Sequence, residues 1–121
     1  MNEPTRRGIA YIAGRVLTGR SSAAIYDYNA TQYFSFGGTV AESRISVYDY
    51  DERYYITGSG RDQSYSLFHY GNQNYVALRV GQNVFIGFDY DSNSHFSGKA
   101  NGSVVWVFDY EHSMWFSYSI P

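Results

Sequence analysis

Apolar and polar residues alternate along most of the chain in short runs, and polar, turn-forming residues separate these runs. In a typical stretch, Ile45 to Tyr50 alternates, Asp51-Glu52-Arg53 is polar, and the alternation resumes from Tyr54 to Gly58. Alternation with a period of two predicts a β strand, because successive side chains of a strand point to opposite faces. Two such runs on either side of a short polar turn predict a β hairpin.

This hairpin unit occurs five times. Its centre is an aromatic residue, then Asp, then Tyr, with His in place of Asp in the third copy. The first two copies start 22 positions apart, and each later pair starts 20 positions apart. A fixed period of this length indicates a repeat architecture. The five centres are Tyr26-Asp27-Tyr28, Tyr48-Asp49-Tyr50, Phe68-His69-Tyr70, Phe88-Asp89-Tyr90 and Phe108-Asp109-Tyr110.

The N-terminal segment differs from the repeats. We interpret residues 1–7, which are mostly polar, as a flexible tail. The following Tyr11-Ile12-Ala13-Gly14 aligns with Tyr55-Ile56-Thr57-Gly58, the second half of a unit, and this predicts one more strand. Glycines at positions 8, 14 and 19 argue against a helix here, since glycine destabilises helix interiors. Residues 8–121 are therefore predicted to form a single all-β repeat domain.

The half-unit and the five hairpins predict an antiparallel meander of up to eleven strands, built from about five 20-residue repeats. Turns that follow one another at this spacing leave no room for the crossover connections of a parallel sheet. In a meander with an odd number of strands, the first and last strands run in the same direction. A closed barrel would then need a parallel pair to seal it, so we expect an open, sandwich-like sheet in preference to a closed barrel.

Each predicted hairpin has two different faces. One face carries three aromatic rings near the turn, as in Tyr48, Tyr50 and Tyr55, whereas the other carries aliphatic residues and one Asp or His, as in Val47 and Asp49. We expect the aliphatic face to form the core and the Tyr-rich face to be partly exposed, because a Tyr ring tolerates partial exposure through its hydroxyl group. The alternative is the reverse assignment of the two faces.

Charge and composition exclude several classes of partner. Nine basic and eleven acidic residues nearly balance, which argues against nucleic acid or an acidic membrane held by bulk electrostatics. There is no Cys, so disulfides and thiolate metal sites are excluded. The N-terminus lacks a signal-peptide pattern and no apolar run reaches the length of a membrane span, so we expect a cytoplasmic protein.

No catalytic or cofactor-binding signature is found. The Asp that recurs once per unit lies just before a turn, where a carboxylate commonly accepts hydrogen bonds from turn amides, and we interpret this row as structural. The three His residues lack the spacing of a zinc site, and no Ser lies in a nucleophile motif. We therefore predict a protein that is not an enzyme and uses no cofactor or metal.

The aromatic row is the stronger functional candidate. Exposed rings at regular intervals offer flat apolar surfaces with hydroxyl rims, which suit a carbohydrate or another small ring-containing ligand. The leading hypothesis is a non-enzymatic binding module. The second is a structural module that forms homo-oligomers through the exposed edge strands of an open meander, residues 11–17 and 115–120. The third is a hydrolase with two distant acids. The predicted ligand-binding residues are Tyr50, Tyr70, Tyr75, Tyr90, His95 and Trp115.

Aromatic hairpin repeats of this length resemble the choline-binding cell-wall repeats, and Tyr54-Tyr55 is similar to the paired Tyr of that family. The Gly-Trp that opens those repeats is missing from every unit, and the chain has two Trp in total. No family is identified over the length of the chain.

Overall fold

One helix and ten strands follow one another in the computed structural model, which describes all 121 residues. The strands are joined as consecutive antiparallel hairpins. The elements are α1 (Glu3–Thr18), β1 (Ala24–Asp27), β2 (Gln32–Val40), β3 (Arg44–Asp49), β4 (Tyr54–Arg61), β5 (Ser64–His69), β6 (Asn74–Val80), β7 (Val84–Asp89), β8 (Ser94–Asn101), β9 (Val104–Asp109) and β10 (Met114–Ser119).

The ten strands form a closed antiparallel barrel, so the expected open, sandwich-like sheet is wrong. Strand β1 pairs with β10 in an antiparallel register that places Tyr26 opposite Ser119 and Asp27 opposite Tyr118. The physical reason is the strand count. With ten strands instead of eleven, the first and last strands run in opposite directions and close the sheet with regular antiparallel hydrogen bonds.

The change in strand count comes from the N-terminal segment, which is helical. The predicted flexible tail at residues 1–7 and the predicted strand after it are both wrong, because α1 covers most of that region. Asn2 caps the helix, and its side-chain oxygen accepts a hydrogen bond of 2.9 Å from the N–H of Thr5. Pro4 lies in the first turn, where its missing N–H costs nothing. Gly19 ends the helix with φ of 69°, the left-handed conformation common after helix C-termini.

Helix α1 lies inside the barrel and fills it. Every residue from Thr5 to Gly14 is buried, so the helix is covered on all sides rather than on one face. Tyr11 stacks on Phe36 of β2 with ring centroids 4.5 Å apart and an angle of 15° between the ring planes. Gly8 lets the helix approach the barrel wall, since a Cβ atom there would lie 2.6 Å from Cδ1 of Ile56.

The two faces of the hairpins sort as the alternation predicts. The aliphatic row points inward and packs around α1, whereas the Tyr-rich row points outward. This confirms the predicted core face and the predicted antiparallel hairpin meander. No helix combines the length and hydrophobicity that crossing a membrane requires. The buried inward row includes Ile25, Phe34, Val47, Ile56, Leu67, Val76, Phe96 and Val107.

Candidate functional site

The recurring acids lie inside the barrel at the end where the five repeat turns are found (residues 28–31, 50–53, 70–73, 90–93 and 110–113). Each is the last residue of an odd-numbered strand and is almost fully buried. Each accepts at least one hydrogen bond, of 2.8–3.2 Å, from a backbone N–H of the turn that follows. The acids thus close the hairpin turns from inside, in line with the structural interpretation. They are Asp27, Asp49, Asp89 and Asp109.

Two arginines of α1 reach this ring of carboxylates. Arg6 lies 3.0 Å from Asp109, and Arg7 lies 3.5 Å from Asp27. Each guanidinium also stacks on an aromatic ring of the wall, with its carbon 3.5 to 3.6 Å from the ring centroid of Phe116 or Phe34. Buried charges need partners, and these pairs supply them together with cation–π contacts.

Sequence reasoning missed both arginines because it placed them in a tail. A signal was present: Arg6 and Arg7 follow Asn2, Glu3 and Pro4, a combination typical of a helix start. The row of acids is a second signal, because ionised carboxylates inside a barrel favour cationic partners, which Asp109 and Asp27 find in Arg6 and Arg7.

The carboxylates of the ring differ in electrostatics. Burial alone would raise the pKa of Asp109, but hydrogen bonds from His112, the Met1 amino group and Arg6 together lower it. At Asp49, burial raises the pKa and outweighs the turn N–H bonds and the attraction of Arg7. Oδ2 of Asp49 and Nε of Arg7 are buried without a hydrogen-bond partner. Asp49 is therefore the acid of the ring that has a buried carboxylate oxygen without a hydrogen bond.

His69 takes the place of an Asp and is buried in the neutral form. Its Nδ1 accepts a hydrogen bond of 3.1 Å from the N–H of Asn72, so Nε2 carries the proton and lies 3.3 Å from Oγ1 of Thr5. The Tyr54 ring packs against the imidazole with centroids 4.5 Å apart. Burial lowers the pKa of His69.

One group near this end has the composition of a metal site. Side-chain atoms of Asp109, Glu111 and His112 lie within 4.8 Å of one another. However, Oδ2 of Asp109 is already engaged by Arg6 and by Nδ1 of His112, each at 3.0 Å. The arrangement is that of an ion-pair network on the inner and outer rim of the barrel.

The outer surface carries five aromatic triads near the same end, which together form what we call the aromatic girdle. In each triad a half-buried central ring makes edge-to-face contacts with two flanking rings, with centroids 4.7–5.2 Å apart and planes at 64–78°. The flanking Tyr and Trp side chains are 49–64% exposed. The triads are Tyr26/Tyr28/Tyr33, Tyr48/Tyr50/Tyr55, Phe68/Tyr70/Tyr75, Phe88/Tyr90/His95 and Phe108/Tyr110/Trp115.

The six predicted ligand-binding residues are all exposed members of this girdle. Tyr70 and Tyr75 share one triad, and Tyr90 and His95 share the next. The other two, Tyr50 and Trp115, belong to separate triads on either side. The structure therefore distributes the six residues over four of the five triads and does not gather them into one pocket.

The largest cavity is a groove of about 650 Å³ on the outer face of β5 to β8. Its wall at the girdle end is formed by Phe88, His95 and Tyr110, and Ile86 and Arg79 line it farther along the strands. Of the predicted residues, His95 lines this groove. Sequence reasoning missed the rest because the groove depends on the register between strands. Small side chains, including Ser64, Ala77 and Ser97, leave the floor open.

A second groove, of about 420 Å³, lies on β2 to β4 and has a similar layout. Tyr50 and Tyr55 of the girdle form its aromatic wall, and Ser46 and Thr39 lie on its floor. Arg44 lines it as its one charged residue. Rings near the turns, small residues in the middle and an arginine are thus common to both grooves.

The chain matches no protein-family model, no curated protein and no solved structure.

The closed barrel removes the surface on which the second hypothesis relied. Both proposed edge strands are unavailable, because residues 11–17 belong to α1 and residues 115–120 lie in or next to β10, which is paired on both sides. Every strand has two hydrogen-bonded neighbours.

Proposed function

We propose that this protein is a non-enzymatic binding module that takes saccharide-type ligands on its aromatic girdle, with the 650 Å³ groove as the principal site. The observation that carries the proposal is the recurrence of edge-to-face triads whose outer rings are about half exposed. The core of the barrel is formed by the opposite face, so the half-exposed outer rings of every repeat are open to a ligand from solvent.

The triads suit ring-shaped ligands with hydroxyl groups. The apolar faces of a sugar ring pack on aromatic rings, and the Tyr hydroxyls at the rim exchange hydrogen bonds with sugar hydroxyls. Adjacent triads lie two strands apart, about 9–10 Å, so neighbouring triads can contact successive parts of an oligosaccharide. The edge-to-face contacts fix the flanking rings before a ligand arrives, which lowers the entropy lost on binding.

A purely binding role agrees with the placement of the ionisable groups. The carboxylates of the ring lie inside the barrel, each already bonded to a turn, and none of them lines the large groove. The groove itself offers no nucleophile with an adjacent base and no pair of acids of the kind that glycosidases use.

The experiment is titration of the whole protein with a panel of oligosaccharides, followed by Trp and Tyr fluorescence and by calorimetry. His95→Ala and Tyr110→Ala each remove a ring from the groove wall, and each is expected to weaken binding about tenfold, the effect of losing one stacking partner. Met114→Ala is the matched control, because Met114 is also 54% exposed near the girdle but belongs to no triad. Full binding by both girdle variants would contradict the proposal.

A further inference from the structure

We propose that the large groove is selective for an acidic saccharide, with the sugar ring against the girdle wall and its carboxylate on Arg79. This inference rests on the proposed function and specifies the ligand of the same site.

The position of Arg79 relative to the aromatic wall is set by the strand register. Arg79 pairs with Ile86 across β6 and β7, and Ala77 pairs with Phe88 two positions nearer the turns. Two positions along a strand correspond to about 7 Å. All four residues line the groove, so a ring that packs on Phe88 has Ile86 and Arg79 next to it, one step of about 7 Å farther along the strands.

Arg79 is free to bind an anion. Its side chain is exposed and forms neither a salt bridge nor a hydrogen bond within the chain. Several other cations are engaged: Arg6 and Arg7 pair with buried acids, Lys99 lies over Trp106 and Trp115 at 5.4 and 5.5 Å, and Arg61 lies 3.9 Å from Asp62.

The groove has no negative charge of its own. None of its lining residues is Asp or Glu, although the chain has eleven acids. The second groove repeats this arrangement, with Arg44 as its one charged residue, also outside any salt bridge. Two grooves that combine aromatic rings with an unpaired arginine and lack acids are complementary to a ring that carries an anion.

A carboxylate suits this geometry. A planar guanidinium donates two parallel hydrogen bonds to a carboxylate, and an exposed Arg can turn its fork toward the ligand. In a uronic acid the carboxylate extends from the sugar ring itself, so ring and anion are held at a short, fixed separation. That matches the short distance between the girdle wall and Arg79.

The test compares binding of trigalacturonic acid and neutral galactotriose to the whole protein by calorimetry at fixed ionic strength. The acidic trisaccharide is expected to bind on the order of tenfold tighter, as for one charge-assisted hydrogen-bonded pair. Arg79→Gln is expected to abolish that preference, so that the two trisaccharides bind the variant with similar affinity. Arg61→Gln is the control: it changes the net charge equally, lies outside the groove and is expected to keep the preference.

The outcomes separate this inference from the proposed function. If the unchanged protein binds both trisaccharides with equal affinity and His95→Ala loses this binding, the acidic selectivity is overturned and the binding function stays in place. Equal loss of preference in Arg79→Gln and Arg61→Gln would assign it to overall charge and would also overturn the inference. Failure of every saccharide to bind would overturn both.

Discussion

The guanidinium of Arg6 lies 3.0 Å from the carboxylate of Asp109, and both side chains are almost completely buried. Arg6 belongs to the helix inside the barrel, and Asp109 ends the second-to-last strand of the wall. Arg6 also donates a hydrogen bond of 3.2 Å to the hydroxyl group of Tyr118. This contact joins the first helical turns to the last hairpin and fixes the helix relative to the closing strand pair.

Replacing Arg6 by Gln is expected to destabilise the protein by about 3–5 kcal/mol, because the change leaves a buried carboxylate without its guanidinium. Urea unfolding followed by circular dichroism measures the effect. Arg61→Gln is the matched control, since the Arg61–Asp62 pair is fully exposed and spans 3.9 Å; its loss is expected to change stability little. Similar stabilities for the two variants would show that the buried pair contributes no more than a surface pair.

Asp109 and Asp49 are expected to affect the pH dependence of stability in opposite directions. The pKa of Asp109 is lowered, so its stabilising contribution is present above the unfolded value near 3.8 and is lost as the pH falls through the folded pKa. The pKa of Asp49 is raised, so ionisation opposes folding and this penalty is relieved as the pH falls. Asp109→Asn should therefore reduce acid sensitivity and Asp49→Asn should increase it.

Both Asn variants keep a side-chain oxygen that can accept from the turn, so the comparison isolates the charge. Unfolding midpoints at several values between pH 3 and 7 provide the test. If the unfolding midpoints of the two variants change with pH in the same way, the opposite effects expected for Asp109 and Asp49 are contradicted.

The neutral state of His69 predicts a second pH effect, at a higher pH. Because its pKa is lowered below the ordinary value of 6.5, the unfolded chain takes up a proton that the folded chain excludes. The contribution is complete above pH 6.5 and decreases as the pH falls toward the folded pKa, with a slope of up to about 1.4 kcal/mol per pH unit. His69→Asn keeps an acceptor for the N–H of Asn72 and removes this slope.

Unfolding measured between pH 5 and 7.5 tests the His69 prediction. His95→Asn is the matched control, because it replaces an imidazole that is exposed on the girdle. If the curve of stability against pH for His69→Asn runs parallel to that of the unchanged protein, the burial of a neutral imidazole has no thermodynamic consequence.

The hairpins could be predicted from sequence because their signals are local. Alternation around each aromatic-Asp-Tyr centre fixes two strands and a turn, and it also separates the inward Asp49 from the outward Tyr50. The same alternation predicted which rings are exposed. It did not predict the closed barrel, because closure depends on the number of strands and hence on one segment outside the repeats.

That segment contains glycines at positions 8 and 14, which argue against a helix in isolation. Inside the barrel, burial on all sides outweighs their low helix propensity, and the glycines are what let the helix fit. The groove was unpredictable for a related reason. Arg79 comes next to Ile86, and Tyr110 next to His95, only through the registers of neighbouring strands.

Gly8→Ala is expected to destabilise the protein although alanine favours helices by about 1 kcal/mol. The added Cβ would lie 2.6 Å from Cδ1 of Ile56, and overpacking of this kind costs roughly 1–3 kcal/mol. Ile56→Val removes that atom and by itself costs about 0.5–1.5 kcal/mol. The double variant should then be more stable than the sum of the two single effects predicts.

A double-mutant cycle measured by urea unfolding gives this coupling directly. Additive effects would show that the helix does not contact the wall at Gly8 as closely as the structure places it.

Thr31→Asn is expected to stabilise the protein. Thr31 occupies the last position of the first repeat turn with φ of 53°, and the equivalent residues Arg53, Gln73, Asn93 and Ser113 have φ of 52–62°. A β-branched side chain is strained in this left-handed conformation, whereas Asn tolerates it. The expected gain is about 1 kcal/mol, or roughly 4 °C in Tm.

The reverse change, Asn93→Thr, provides the matched control, because it places the same side chain in the same conformation of another repeat. It is expected to lower Tm by a similar amount. The hydrogen bond of 2.7 Å from Oγ1 of Thr31 to the carbonyl of Ala30 is lost in Thr31→Asn, but this contact is exposed and contributes little. If both variants melt at the temperature of the unchanged protein, backbone conformation at this position does not limit the stability of the repeat turns.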